Sequence, residues 1–218
     1  MTDLTVKNLN LAAITPKLNQ NFNFTVPAGQ CMGLSGPSGI GKSVLLKAIA
    51  DMLPHQGEIY LGELESRSIP APKWRKKVAL LPAESQWWYD RVGEHFSKFD
   101  EALFAYFGFD KTVMNWQIAH LSSGEKQRLA CIRILMNQPR ALLLDEPTAN
   151  LDKENRSLLE RLISQYQCEH RIPALWISHD QEQLQRVSDQ ILVLNEGDYT
   201  IHKNSDKPHR KPLQGECA

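Results

Sequence analysis

The sequence predicts an α/β protein with a mainly parallel sheet, an N-terminal antiparallel β portion and an inserted helical subdomain. Three observations lead there. Short apolar runs alternate with longer helical patterns. A glycine-rich loop joins one such run to a helix. One aromatic-rich stretch, at about residues 84–134, carries almost no strand pattern. Taken in order, residues 4–6, Phe22–Val26 and 30–34 read as strands, and residues 44–53 as a helix stopped by Pro54. Residues 58–61 and Val78–Leu81 are strands again. Ala141, Leu142, Leu143 and Leu144 form an unbroken apolar run, as in strands buried on both faces of a parallel sheet. Residues 153–167 place Leu158, Leu159, Leu162, Ile163 and Tyr166 at helical spacing, and Ala174–Ile177 and 191–194 are further strands. This gives one domain over residues 1–201, with the helical subdomain at about 84–134, and a polar tail over 202–218.

The chain has 218 residues, with 25 Lys and Arg against 25 Asp and Glu. A length of this order supports one or two domains and a substantial core. The balanced charge speaks against a nucleic-acid partner, which a basic face usually serves. Cys31, Cys131, Cys168 and Cys217 are scattered, with no paired spacing, so a disulfide framework or zinc site is not expected and a reducing compartment is. The N-terminal residues lack the basic flank and apolar core of a signal peptide. No stretch reaches the ~18 apolar residues of a membrane helix. A cytoplasmic protein is expected, and any membrane-spanning work falls to another chain.

Gly36, Pro37, Ser38, Gly39, Ile40, Gly41, Lys42 and Ser43 match the P-loop pattern G-x-x-x-x-G-K-[ST]. Glycines let the backbone wrap a phosphate with its N–H groups turned inward, and the helix that begins near Val44 adds its positive end. Lys42 is expected to reach the outer phosphates and the Ser43 hydroxyl to hold Mg2+. About one hundred residues on, Asp145 and Glu146 end a buried strand, where α/β sheets bind ligands. Asp145 would hold Mg2+; Glu146 would polarise the attacking water. The core is thus that of a P-loop NTPase binding ATP with Mg2+.

Leu121, Ser122, Ser123, Gly124, Glu125, Lys126, Gln127 and Arg128 resemble the signature of the ABC transporter ATP-binding subunits, usually written L-S-G-G-Q or L-S-G-G-E. The resemblance continues from Asp145 to Asp152 and through Ile177, Ser178, His179 and Asp180, in the family's order over nearly the whole chain. It implies a head-to-tail homodimer, each nucleotide lying on one chain's P-loop and under the other's signature. It implies that His179 contacts the γ-phosphate and that Asp152 sits in the loop touching the other subunit. Asp152 also suits the N-cap of the following helix, and the two roles are compatible. Ser122 with Glu125 is a capping box whose helix would face the opposite nucleotide. With the absence of a spanning segment, the resemblance implies an ATPase on the cytoplasmic face of the membrane, serving a separate permease. The short stretch of residues 174–180 and the minimal length resemble the small bacterial exporters proposed to move iron. An ABC-type ATP switch in DNA repair or translation is the rival reading, though coiled coils, zinc modules and a second ATPase half are absent from the sequence; a P-loop kinase would need neither signature nor switch histidine.

Three positions depart from the family pattern. Where an adenine-stacking aromatic is usual, counting from the P-loop reaches Leu11; apolar contact alone predicts weak discrimination between ATP and GTP. Where the family has a loop glutamine after Val78–Leu81, this chain has Ala83. Gln86 then takes over at the metal, with Glu84 the alternative. Ser123 replaces the first signature glycine. Trp87, Trp88 and Tyr89 follow at once, either as core of the subdomain or as an apolar patch for the permease.

Overall fold

In the computed structural model, which describes residues 2–205, alternating burial makes antiparallel partners of Leu4–Asn10 (β1) and Phe22–Val26 (β2). Cys31–Ser35 (β3) is buried at every position and leads through the glycine-rich loop into helix Lys42–Ile49 (α1). Gln56–Leu61 (β4) and Leu64–Glu65 (β5) complete a four-stranded antiparallel sheet of order β2-β1-β4-β5. The chain continues through helix Ala71–Lys77 (α2), strand Val78–Leu81 (β6), helices Glu101–Tyr106 (α3) and Ser123–Leu135 (α4), and strand Ala141–Asp145 (β7). Helix Lys153–His170 (α5), strand Ala174–Ile177 (β8), helix Gln181–Val187 (α6), and strands Gln190–Asn195 (β9) and Asp198–Lys203 (β10) follow. The second sheet has the order β10-β9-β3-β8-β7-β6, parallel in every pairing except β10 on β9.

The apolar run of β7 explains the layering. Ala141 and Leu143 join a core shared with α1 and the small sheet, whereas Leu142 and Leu144 join a second core with α4 and α5. Both faces are covered, so no polar alternation survives in the strand. Each leucine buried in this way contributes roughly 1.5–3 kcal/mol. The parallel strands end on the same edge, where the loop beyond β3 forms the P-loop, the end of β7 carries Asp145 followed by Glu146, and the loop beyond β8 carries His179.

Four expectations need correction. Helix α1 stops at Ile49, ahead of Pro54. Asp51 takes a left-handed conformation (φ 55°), with Asp51 N–H donating to Ala48 and Met52 N–H to Lys47, a Schellman end that closes the helix without the proline. The stretch at 84–134 is less helical than expected: besides α3 and α4 it holds short 3-10 turns at Val92–His95, Lys111–Asn115 and Ile118–His120. Packing of rings takes the place of regular helix, with Phe96 and Phe99 5.1 and 4.7 Å from the buried Phe104. The ordered chain runs past 201, since β10 pairs with β9 as far as Lys203. The rest of the expected tail, from 206, lies outside the described residues.

Leu11 is the fourth. It is 1% exposed and belongs to the core with Leu9 and Leu18. Ile14 and Thr15 both donate backbone N–H groups to its carbonyl, so the chain turns there and the side chain is taken inward. Leu11 therefore presents no face to a base. Leu11→Tyr is expected to overpack this core by about 1–3 kcal/mol. It should lower the melting temperature without tightening ATP; tighter ATP binding at unchanged stability would refute the placement.

Candidate functional site

The P-loop is an exposed arch on a buried footing. Pro37, Ser38 and Gly39 are exposed, while Ile40 is buried in the core beneath them. Gly41 has φ 115°, and a Cβ there would lie 2.7 Å from Leu18 and 3.4 Å from Thr15. Only glycine fits where the turn after β1 presses on the loop. Gly41 also caps α1, whose first residues Lys42 and Ser43 follow at once, with Val44 behind them. The N–H groups of that first turn lack helical partners, which is what an anion site at the arch requires. Lys42 is buried, and its Nζ donates to the carbonyls of Gly36 and Pro37 at 2.8 and 3.1 Å. Burial holds its pKa below the usual lysine range; Glu146 and then Asp145 oppose that. A cation facing two carboxylates across the loop is the arrangement that a polyphosphate with a divalent metal requires.

Asp145 closes β7 and is 7% exposed; Glu146 follows it with φ 48°. A left-handed glutamate is strained by about 1–3 kcal/mol, a cost typical of positions fixed for function. The backbone N–H of Glu146 donates to Ile177 at the end of the neighbouring β8, which brings His179 alongside. His179 Nε2 lies 3.6 Å from Glu146 Oε1. That oxygen is buried and makes no hydrogen bond to the protein, an unmet acceptor where a water to be activated would sit. Burial pushes the Glu146 carboxyl up, with His179 opposing and Asp145 adding to it. Ser43 and Asp145 offer hard oxygen donors and fit Mg2+.

The signature forms as its capping box requires. Ser122 caps α4: Glu125 N–H donates to its Oγ at 3.2 Å, and the Ser122 N–H donates to Glu125 Oε2 at 2.8 Å. Ser123 is exposed, so its hydroxymethyl group meets no obstacle within this chain. Gly124 is the constrained position, since a Cβ there would come 3.0 Å from the Asn150 carbonyl. Asp152 is the N-cap of α5, accepting from Asn155 N–H at 2.8 Å, and it is exposed as well. Of the strand-end residues, Glu146 and His179 come together within one chain.

Gln86 does not join them. It is exposed, its amide donates to the Glu84 carbonyl at 3.4 Å, and its own carbonyl accepts from Arg133 Nη2 at 3.0 Å. No contact draws it to Ser43 or Asp145, because Arg133 of α4 holds this loop against the helical subdomain. Sequence reasoning missed Arg133 and, although Gln127 lies in the signature run, the inward role of its side chain. Gln127 is 2% exposed and donates to the Pro82 carbonyl at 3.3 Å. A polar residue facing inward on an apolar helix face was the available signal. Arg133 also lies 4.4 and 4.9 Å from the rings of Trp87 and Trp88, and burial lowers its pKa to about 10. His95 completes the cluster, with its ring 4.8 Å from both tryptophans. Trp88 is nevertheless 63% exposed and Tyr89 51%.

Residues 19–149 match the ABC transporter family. The chain is 32% identical over 204 residues to the "Probable iron export ATP-binding protein FetA" of Escherichia coli (strain K12), covering 88% of this chain and 90% of that protein. It is 32% identical over 216 residues to the "Aliphatic sulfonates import ATP-binding protein SsuB 3" of Pseudomonas savastanoi pv. phaseolicola (strain 1448A / Race 6), covering 94% and 77%. Among solved structures, the "Structure of ATP binding subunit of ABC transporter" superposes with a TM-score of 0.82 at 22% identity, covering 94% of this chain and 91% of that one. The "Dimeric structure of a post-hydrolysis state of the ATP-binding cassette MJ0796 bound to ADP and Pi" superposes with 0.78 at 20%, covering 92% and 98%.

Proposed function

We propose, given that this chain belongs to the ABC transporter family, that its ATPase activity drives transport through a separate membrane permease. Two copies close head to tail on two ATP molecules, Ser122, Ser123, Gly124 and Glu125 of each facing the γ-phosphate on the other's P-loop. Lys42 and the N–H groups of the arch hold the phosphates, Ser43 and Asp145 hold Mg2+, Glu146 positions the attacking water and His179 stays its partner. Asp152 and its loop meet the second copy. The observation that carries the hydrolytic part is the unmet buried oxygen of Glu146, 3.6 Å from His179.

For transport, the support is the exposed Trp88 and Tyr89 on the loop that α4 grips through Gln127 and Arg133. Helix α4 starts at the signature and ends at the aromatic cluster, so one element touches both the nucleotide of the other copy and the docking patch. Among the described residues no helix is long and apolar enough to cross a membrane; on this reading the separate permease holds the protein at the cytoplasmic face. The relatives reported above carry transport names, which disfavours the repair or translation switch. The near end-to-end match to the probable iron exporter's subunit favours the exporter group.

Trp88→Ala tests the docking patch. Membrane association with the permease is expected to weaken, while soluble ATPase activity is retained and stability changes by no more than about 0.5 kcal/mol, as for an exposed site. Loss of about 3–5 kcal/mol in thermal unfolding, the behaviour of a core tryptophan, would return Trp88 to the packing of the subdomain.

A further inference from the structure

Beside the start of α4 lies a cleft of about 340 Å3 lined by Asn115, Trp116, Gln117, His120, Leu121 and Glu125. Its volume suits one planar ring system and is at the small end of ligand pockets. Trp116 is 41% exposed, its ring steadied edge-on by Phe109 at 6.2 Å. His120 is exposed beside it. Glu125 belongs both to this cleft and to the capping box of Ser122, so the cleft adjoins the surface that faces a second copy's nucleotide. At the turn after β1, where a stacking ring is usual, this chain has the buried Leu11, and the sequence has no aromatic before Phe22, which is itself fully buried.

We propose that this cleft receives the purine base of the ATP held on the P-loop of a second copy, with Trp116 as the stacking surface. The inference rests on the head-to-tail closure described above. Continuity of the cleft with the signature, through Glu125 and Leu121, argues for the occupant. A base stacked on an indole gains a contact that reads the ring's face and not its edge, so it is tolerant of base identity. ATP and GTP should therefore close the dimer at similar concentrations. Trp116 is a binding residue for its neighbour's nucleotide, so a single copy cannot reach its own affinity.

The test uses the full chain with Glu146→Gln, in which closure is not followed by cleavage, and follows dimer formation by sedimentation as ATP is raised. Adding Trp116→Ala is expected to raise the ATP concentration at half-dimerisation about tenfold, about 1.4 kcal/mol. Trp116→Phe should restore most of it. With ribose triphosphate lacking a base, the indole should make no difference. An unchanged ATP midpoint for Trp116→Ala, in a chain that does dimerise, overturns the inference alone, as does a tenfold shift that persists with the base-free triphosphate. If the Glu146→Gln chain fails to dimerise with any nucleotide, the closure itself is refuted and the inference falls with it.

Discussion

Replacing Glu146 by glutamine is expected to lower ATP turnover by about 10²–10⁴-fold, the usual worth of a positioned general base, and to leave ATP binding intact. Glutamine keeps the size and the left-handed backbone at this position but cannot accept a proton. The wild-type carboxylate is prepared for that task. Burial pushes its pKa up, which strengthens it as a base, and its Oε1 has no competing hydrogen bond from the protein. With cleavage blocked, the nucleotide that closes the dimer stays in place, so the variant should accumulate as an ATP-bound dimer. Single-turnover hydrolysis and size-exclusion chromatography with ATP read the two effects separately. Hydrolysis at the wild-type rate would remove Glu146 from its role.

The second large effect is expected one step earlier. Lys42→Ala removes a buried ammonium that donates to the Gly36 and Pro37 carbonyls and stands ready for the outer phosphates. A hydrogen bond to a charged group contributes about 1.5–3 kcal/mol, so ATP binding should weaken roughly 10–100-fold. Two carbonyls of the arch also lose their donor, which loosens the loop itself. Calorimetric titration with ATP measures the loss. Wild-type affinity in Lys42→Ala would mean that the phosphates bind elsewhere.

Both residues could be picked out in the sequence because each belongs to a short contiguous motif. A P-loop is consecutive residues between a strand and a helix, and all of its geometry is local. Glu146 and His179 are likewise strand-end residues, and pairing β7 with β8 is enough to bring them together. Leu11 was misread because counting along a chain gives a position and not a direction. The turn at residues 11–15 takes that side chain inward. Gln86 was misread for a different reason: what fixes it is Arg133, 47 residues further on, and the pull of that guanidinium on a loop carbonyl has no signature in the loop's own sequence. Strand β10 went unseen because five of its six residues are exposed, which erases the alternation that marks a half-buried strand. It is secured instead by Tyr199, whose hydroxyl accepts from the backbone N–H of Asn23 and donates to the Asn23 carbonyl, both at 2.9 Å.

Helix α4 has a mechanical consequence. Gln127 pins it to the Pro82 carbonyl partway along its thirteen residues, and that contact divides the rod into two arms. At 1.5 Å per residue the arm from Ser123 to Gln127 is about 6 Å and the arm from Gln127 to Arg133 about 9 Å. A displacement at the phosphate end, turned about this fulcrum, reaches the Gln86 carbonyl and the tryptophans enlarged about one and a half times and reversed in sense. On the closure proposed above, a second copy's γ-phosphate drawing in the start of the helix is expected to swing the aromatic cluster outward.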